Sequence, residues 1–154
     1  AYAAKYAGGS PDDLWDAIAS DRIFGLPTAA FIDQRVNNNA PTWTYLFNWR
    51  SGARGGFYGA AHTIEIPFVF NTFDAEGAAD FLGRPRSETD PLAGRVQEAW
   101  VSFARDGRPR AEDLPDWPPC RPDARPTMVL DEESRVEEDP NSPVRALWMS
   151  AVQG

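Results

Sequence analysis

The run Thr42-Trp43-Thr44-Tyr45-Leu46-Phe47-Asn48-Trp49 limits what this chain can fold into more than any other stretch. It is dense in aromatic and β-branched side chains, which favour extended backbone. Apolar residues fall on both faces of such a strand, so neither face suits water. Strands of that kind lie inside sheets with helices packed above and below. One further sheet candidate is present, Thr127-Met128-Val129-Leu130 with a return near Val136, which reads as a small hairpin. Two or three strands cannot cover both faces, and an isolated pair is marginal in water. The sequence therefore predicts an α/β chain with an incomplete central sheet. Its missing strands would come from a preceding segment, or from a second copy pairing edge to edge. The chain begins at Ala1 rather than Met, which reads as a processed or truncated end.

Helical signals surround these strands. Ser10-Pro11-Asp12-Asp13 combines a capping hydroxyl, a proline at the first helical position and acids in the first turn. Leu14, Trp15 and Ile18 continue it as an apolar face to about Ser20. A second helix is predicted from Pro27 to the Asn37-Asn38-Asn39 stop, with Ala30, Phe31 and Val36 facing inward. Ser51 to Ala61 is a loop carrying Gly52, Gly55, Gly56 and Gly59, and it leads into His62. Ile64 to Phe70 reads either as a short helix or as a buried extended turn, since Pro67 argues against a mid-strand position. Asp90-Pro91 opens the best helix, with Leu92, Val96, Ala99, Trp100 and Phe103 at helical spacing and Gly107 closing it. Residues 108–126 hold six prolines and read as a surface-wrapping loop, and Val144 to Val152 as a short last helix.

The 154 residues, 42% hydrophobic, suit one domain, and no repeat or linker divides them. Twenty-three acidic side chains against 15 basic ones give a net charge of -8. That balance repels phosphate backbones and anionic membrane surfaces, which sets nucleic-acid and lipid partners well behind. No run approaches the ~18 apolar residues of a membrane span. Cys120 is the only cysteine and His62 the only histidine, which excludes an internal disulfide framework, CxxC metal sites and multi-histidine zinc sites. The acidic groups Asp131-Glu132-Glu133 and Glu137-Glu138-Asp139 lack the glycine-centred spacing of a calcium loop and read as solvated turns.

A glycine-rich loop running off a strand into a histidine places an imidazole at a sheet edge, where ligands of α/β folds collect. A lone histidine is more often a surface or structural residue, and spacing alone favours that reading. The surrounding residues carry more information. Gly59-Ala60-Ala61-His62-Thr63-Ile64-Glu65-Ile66-Pro67-Phe68-Val69-Phe70 resembles the histidine segment of type B carboxylesterases, the para-nitrobenzyl esterase and cholinesterase-like family. The resemblance continues in the same order upstream, through Ser20-Asp21, Phe24, Pro27 and Thr44-Tyr45-Leu46-Phe47. Downstream it takes in Asp90-Pro91-Leu92-Ala93, Gln97, Trp100 to Gly107, Trp117-Pro118 and Thr127-Met128.

This resemblance implies the C-terminal portion of an α/β-hydrolase over residues 1–154, with His62 as the triad histidine and no metal or cofactor. The complete enzyme would hydrolyse small-molecule carboxylic esters through a serine acyl-enzyme. In such enzymes the chain order is Ser, acid, His, with the serine on a GxSxG elbow. Only Ser10, Ser20 and Ser51 precede His62, and none is flanked by glycine at both required positions. The nucleophile, the triad acid and the oxyanion-hole glycines are thus expected on an N-terminal part of the same enzyme. Glu65 stands three residues after His62, close enough to reach it on a helical turn, and the resemblance makes it a carboxylate bracing the loop. Phe57 and Tyr58 read equally as pocket lining and as loop packing, and Cys120 as a buried thiol. The rival reading is a non-catalytic interaction domain, since cholinesterase-like proteins include adhesion members.

Overall fold

A computed structural model describes Tyr2 and residues 7–152 of the chain. Ala1, the expected processed end, lies outside the described residues, as do the last two positions of the 1–154 span. In chain order the elements are α1 (Pro11–Ser20), a π-helical turn (Asp21–Gly25), α2 (Leu26–Asn37) and β1 (Thr44–Phe47). A 3₁₀ turn (Ala53–Gly56), α3 (Ile66–Phe70), α4 (Ala78–Leu82) and α5 (Arg86–Asp106) follow. The chain ends with β2 (Pro126–Leu130), β3 (Arg135–Glu138) and α6 (Ser142–Val152). These elements fall into two compact units. One is built from residues up to Thr42, Cys120–Arg125 and the chain from Asp139 onward; the other is Trp43–Pro119 with Pro126–Glu138.

In the first unit, α1 begins as its sequence predicts. The Asp13 amide donates to Ser10 Oγ at 3.2 Å, and the Ser10 amide donates to Asp13 Oδ2 at 2.7 Å. This reciprocal capping box satisfies two amides that the first turn leaves without partners. The π turn is closed by a bond from the Leu26 amide to the Asp21 carbonyl, five residues back. It lies where Pro27, lacking an N–H, interrupts the regular α ladder. α2 stops at Asn38, and Asn39 takes a left-handed φ of 56°. Ala30 and Phe31 do not face inward as expected. Both are exposed, and the Arg35 guanidinium lies over the Phe31 ring at 5.8 Å. Trp15 on α1 is exposed as well. Helical period identifies an apolar stripe but not what covers it.

The second unit holds a three-stranded sheet in the order β1-β2-β3. β1 pairs parallel with β2, Thr44 opposite Thr127 and Phe47 opposite Leu130. β2 and β3 form the predicted antiparallel hairpin, with Met128 opposite Val136. The strand expected over residues 42–49 is four residues long, and one more bond, from the Asn48 amide to the Leu130 carbonyl, extends its pairing. Among the described residues it is an edge strand, with Tyr45 and Leu46 partly exposed, whereas β2, at the centre, is buried throughout. The chain crosses from β1 to β2 through α3, α4 and α5, the connection a parallel pair requires.

α5 starts four residues before Asp90 and carries Pro91 within it. Leu92, Ala93, Val96 and Ala99 are buried, but Trp100 and Phe103, expected on the same face, are about half exposed. Phe103 meets the Trp43 ring edge-on at 6.1 Å, and Trp100 meets Tyr45 at 6.4 Å. Residues 64–70 resolve into α3 after a turn, and α4, which sequence pattern did not reveal, lies between Gly77 and Gly83. Phe68 sits at the middle of the core. Its ring makes edge contacts with Phe47 and Trp49 at 5.0 Å and with Phe73 at 5.1 Å.

Candidate active site

β1 delivers the chain to a buried anchor before the glycine loop begins. Trp49 is fully buried, with the Arg84 guanidinium 5.2 Å above its ring. Two residues on, Ser51 is also buried and fastens the loop at several points. Its hydroxyl lies 2.7 Å from the Phe81 carbonyl as donor and accepts from the Ala53 amide at 3.0 Å. Its own amide donates to the Gly59 carbonyl at 2.9 Å, which closes the glycine loop on itself. The Gly52 amide donates to the Leu82 carbonyl, and Gly83 passes so close that an added Cβ would stand 2.1 Å from the Ala53 nitrogen. The Ser51 hydroxyl is therefore held as a structural bridge, and Ser10 is committed to capping α1. Neither has the setting of an activated nucleophile.

The loop then rises through the 3₁₀ turn. Its Arg54 and Gly55 both take left-handed conformations, at φ 50° and φ 67°. Phe57 stands 78% exposed, whereas Tyr58 packs its edge against Phe57 at 5.7 Å and Phe81 at 5.4 Å. Of the pair, Tyr58 is the loop-packing residue and Phe57 projects from the surface.

His62 follows on a turn and is exposed. The residues just beyond it are fixed firmly. Ile64 is 1% exposed, and the Glu65 carbonyl accepts from the Phe68 and Val69 amides at 3.0 Å each as α3 begins. Gln97 on α5 donates from Nε2 to the Phe68 carbonyl at 3.0 Å, which ties α3 to the long helix. The imidazole is thus carried by a short segment clamped between the Ser51 staple and the α3–α5 contact. Solvent-facing side chains on a rigid scaffold are the usual setting of catalytic groups.

Glu65 is half-buried and caps no amide of α3 with its carboxylate. Its charge is felt at Tyr45 on β1. Burial first, and then the Glu65 carboxylate, push the Tyr45 phenol above its ordinary value. The acidic groups near the hairpin hold basic side chains: Arg84 pairs with Glu132, and Arg135 with Glu137 at 2.6 Å. Among the described residues no group of three or more potential metal ligands comes together. Cys120, in the other unit, is buried as expected. Pattern reading missed the staple role of Ser51 and the clamp by Gln97. A lone serine and a lone glutamine have no periodic signature, although Gln97 stood among the residues that carried the resemblance.

Residues 8–148 match the model of the carboxylesterase family. The chain is 33% identical over 127 residues to the para-nitrobenzyl esterase of Bacillus subtilis, covering 82% of this chain and 25% of that protein. It is 30% identical over 134 residues to the phenmedipham hydrolase of Pseudarthrobacter oxydans, covering 86% and 27%. Among solved structures, a carboxylesterase of Geobacillus stearothermophilus superposes with a TM-score of 0.78 at 29% identity, over 96% of this chain and 31% of that one. A para-nitrobenzyl esterase superposes with a TM-score of 0.77 at 31% identity, over 94% and 29%. The chain spans about a quarter of the length of the curated relatives it matches. The helices and small mixed sheet are therefore part of the α/β fold of these esterases.

Proposed function

Because the chain belongs to the carboxylesterase family, we propose that it is the C-terminal portion of a serine carboxylic-ester hydrolase and that His62 is its general base. The observation that carries this reading is the placement of His62, exposed on a turn whose flanks are held on both sides by buried residues. In the reaction, the imidazole takes the proton of a serine hydroxyl as that oxygen bonds to the ester carbonyl carbon. It returns the proton to the departing alkoxide, which leaves as the alcohol. It then deprotonates the water that cleaves the acyl-enzyme and hands that proton back to the serine. The serine, the acid that orients the ring and the oxyanion donors belong to the N-terminal part of the enzyme. Substrates are small carboxylic esters, and no metal or cofactor enters the scheme. Glu65 braces the loop without joining the triad.

His62→Ala in the complete enzyme is the test. Since triad members act as a unit, kcat for an activated aryl ester falls on the order of 10⁴-fold with the fold intact. A His62→Ala enzyme that retains its turnover refutes the assignment. The 154-residue chain by itself shows no turnover above a histidine control, because a base without nucleophile or oxyanion donors has little transition state to stabilise.

A further inference from the structure

The buried end of the histidine segment has one carbonyl that its own backbone does not satisfy. α3 is five residues long, too short to bond its last carbonyls within itself. Asn71 closes it in the left-handed conformation, at φ 53°. The Asn71 and Thr72 amides both turn to the Pro67 carbonyl, the latter at 3.2 Å. Neither reaches the Phe68 carbonyl, and Phe68 is fully buried, which keeps water from it. Its donor comes from α5: Gln97 Nε2, at 3.0 Å, on a side chain that is itself half-buried.

That bond reaches His62 through a ladder of backbone bonds. The Phe68 and Val69 amides donate to the Glu65 carbonyl at 3.0 Å, the Ile66 amide to the Thr63 carbonyl at 3.1 Å, and the Ile64 amide to the Ala61 carbonyl at 3.2 Å. Residues 61–69 thus form one stiff unit, and the backbone of His62 moves with it. The apolar contacts of Ile64 and Phe68 have no direction, so they fix how deep the unit sits and not its place along α5. A hydrogen bond demands a distance and an angle, and the Gln97 amide supplies that missing coordinate. We propose that Gln97 is a positioning residue of His62, holding the histidine segment in place along α5 through its bond to the Phe68 carbonyl. The inference rests on His62 being the general base.

The complete enzyme is the material for the test, with kcat and KM followed from about pH 8 down to about pH 5. Gln97→Glu is the diagnostic variant. Its carboxyl donates nothing to the Phe68 carbonyl when ionised and donates its O–H when protonated. Burial and the facing carbonyl raise its pKa from about 4.3. α3 carries no charged side chain, and neither do Ala93, Gly94, Trp100 and Val101, the α5 positions one turn from Gln97. Glu65 and His62, the titratable groups of the histidine segment, are shared with the parent. At about pH 8 the variant loses kcat between about 10- and 100-fold with KM within about threefold, because the base is displaced and the binding surface is not. The ratio of variant to parental kcat then climbs as the pH falls, since the loss from protonating His62 is common to both and cancels. Gln97→Leu, with no donor at any pH, shows the same loss and a flat ratio. Circular dichroism finds both variants folded throughout, one hydrogen bond being a small share of a domain's stability. Parental kcat in either variant at about pH 8 overturns the proposal. So does a flat ratio in Gln97→Glu, or loss of the fold, which would make the bond a structural one. Retained turnover in His62→Ala refutes the general-base reading separately; its loss beside Gln97 variants of parental kcat sinks this inference alone.

Discussion

At the scale of single residues, Glu65 and Tyr45 are the pair whose chemistry can be read from this chain alone. The Tyr45 phenol is raised by burial and by the Glu65 carboxylate, both of which disfavour the phenolate. A group whose folded value is raised adds stability that is full below its unfolded value near 10 and is lost as pH rises through the folded one. Alkaline titration at 295 nm, taken as the difference between the parent and Tyr45→Phe, should give a midpoint above that of free tyrosine. Glu65→Gln removes the smaller cause and brings the midpoint part of the way back; no movement would mean the carboxylate faces elsewhere. In the complete enzyme the same Glu65→Gln change reduces kcat far less than His62→Ala. Equal losses in two folded variants would make Glu65 a direct partner of the imidazole.

Among the elements, α5 and the loop that packs against the start of the site depend on small residues with no slack. The buried Ser102 hydroxyl lies 2.9 Å from the Ala99 and Arg110 carbonyls and accepts from the Arg110 amide at 2.7 Å. Ser102→Ala strands that amide, and a lost bond of this kind costs about 1–3 kcal/mol. Gly83 has φ of 62° and no room for a Cβ against the Ala53 backbone. Gly83→Ala therefore combines strain with a backbone clash, and its cost should exceed that of Ser102→Ala. Because it displaces the loop pinned by Ser51, it should also reduce ester turnover in the complete enzyme, which Ser102→Ala should not. Urea unfolding of the three proteins, with turnover measured alongside, separates the two effects. The capping hydroxyl of Ser10 and the closing Gly107 of α5 were legible in the sequence, because each depends on its own side chain or φ. The early start of α5 was not, since Arg86 to Thr89 hold no apolar repeat; Arg86 instead pairs with Asp90 at 2.8 Å and lies 4.0 Å from the Phe73 ring.

For the molecule as a whole, the sheet is the informative part. β1 is apolar on both faces, yet among the described residues it has a strand partner on one side only, and Tyr45, Leu46, Trp100 and Phe103 are left partly open to water. The remaining strands and helices of the esterase fold, supplied by the N-terminal part, would cover these groups under the proposed function. The purified chain should accordingly bind a hydrophobic dye and associate with itself in solution. Adding the N-terminal part should suppress both and bring esterase activity with it. A monodisperse monomer that ignores the dye and melts in one cooperative transition would show that three strands suffice.

The α/β class, the hairpin, the cap of α1, the histidine segment and its family were legible in the order of the residues, because each is written in local period, in turn chemistry or in a contiguous motif. Folding in three dimensions was needed to show that β1 lies at the edge of the sheet among the described residues, that Phe31 and Trp15 are exposed, and that Ser51 is a staple. It alone revealed that Thr63 is forced left-handed. The physical reason is common to all four. Exposure, a hydroxyl's partner and a strained φ depend on atoms distant along the chain, which no local pattern can report. The turn at Thr63 makes the point most sharply, for a β-branched residue on its own prefers negative φ, and the structure holds this one at 74°.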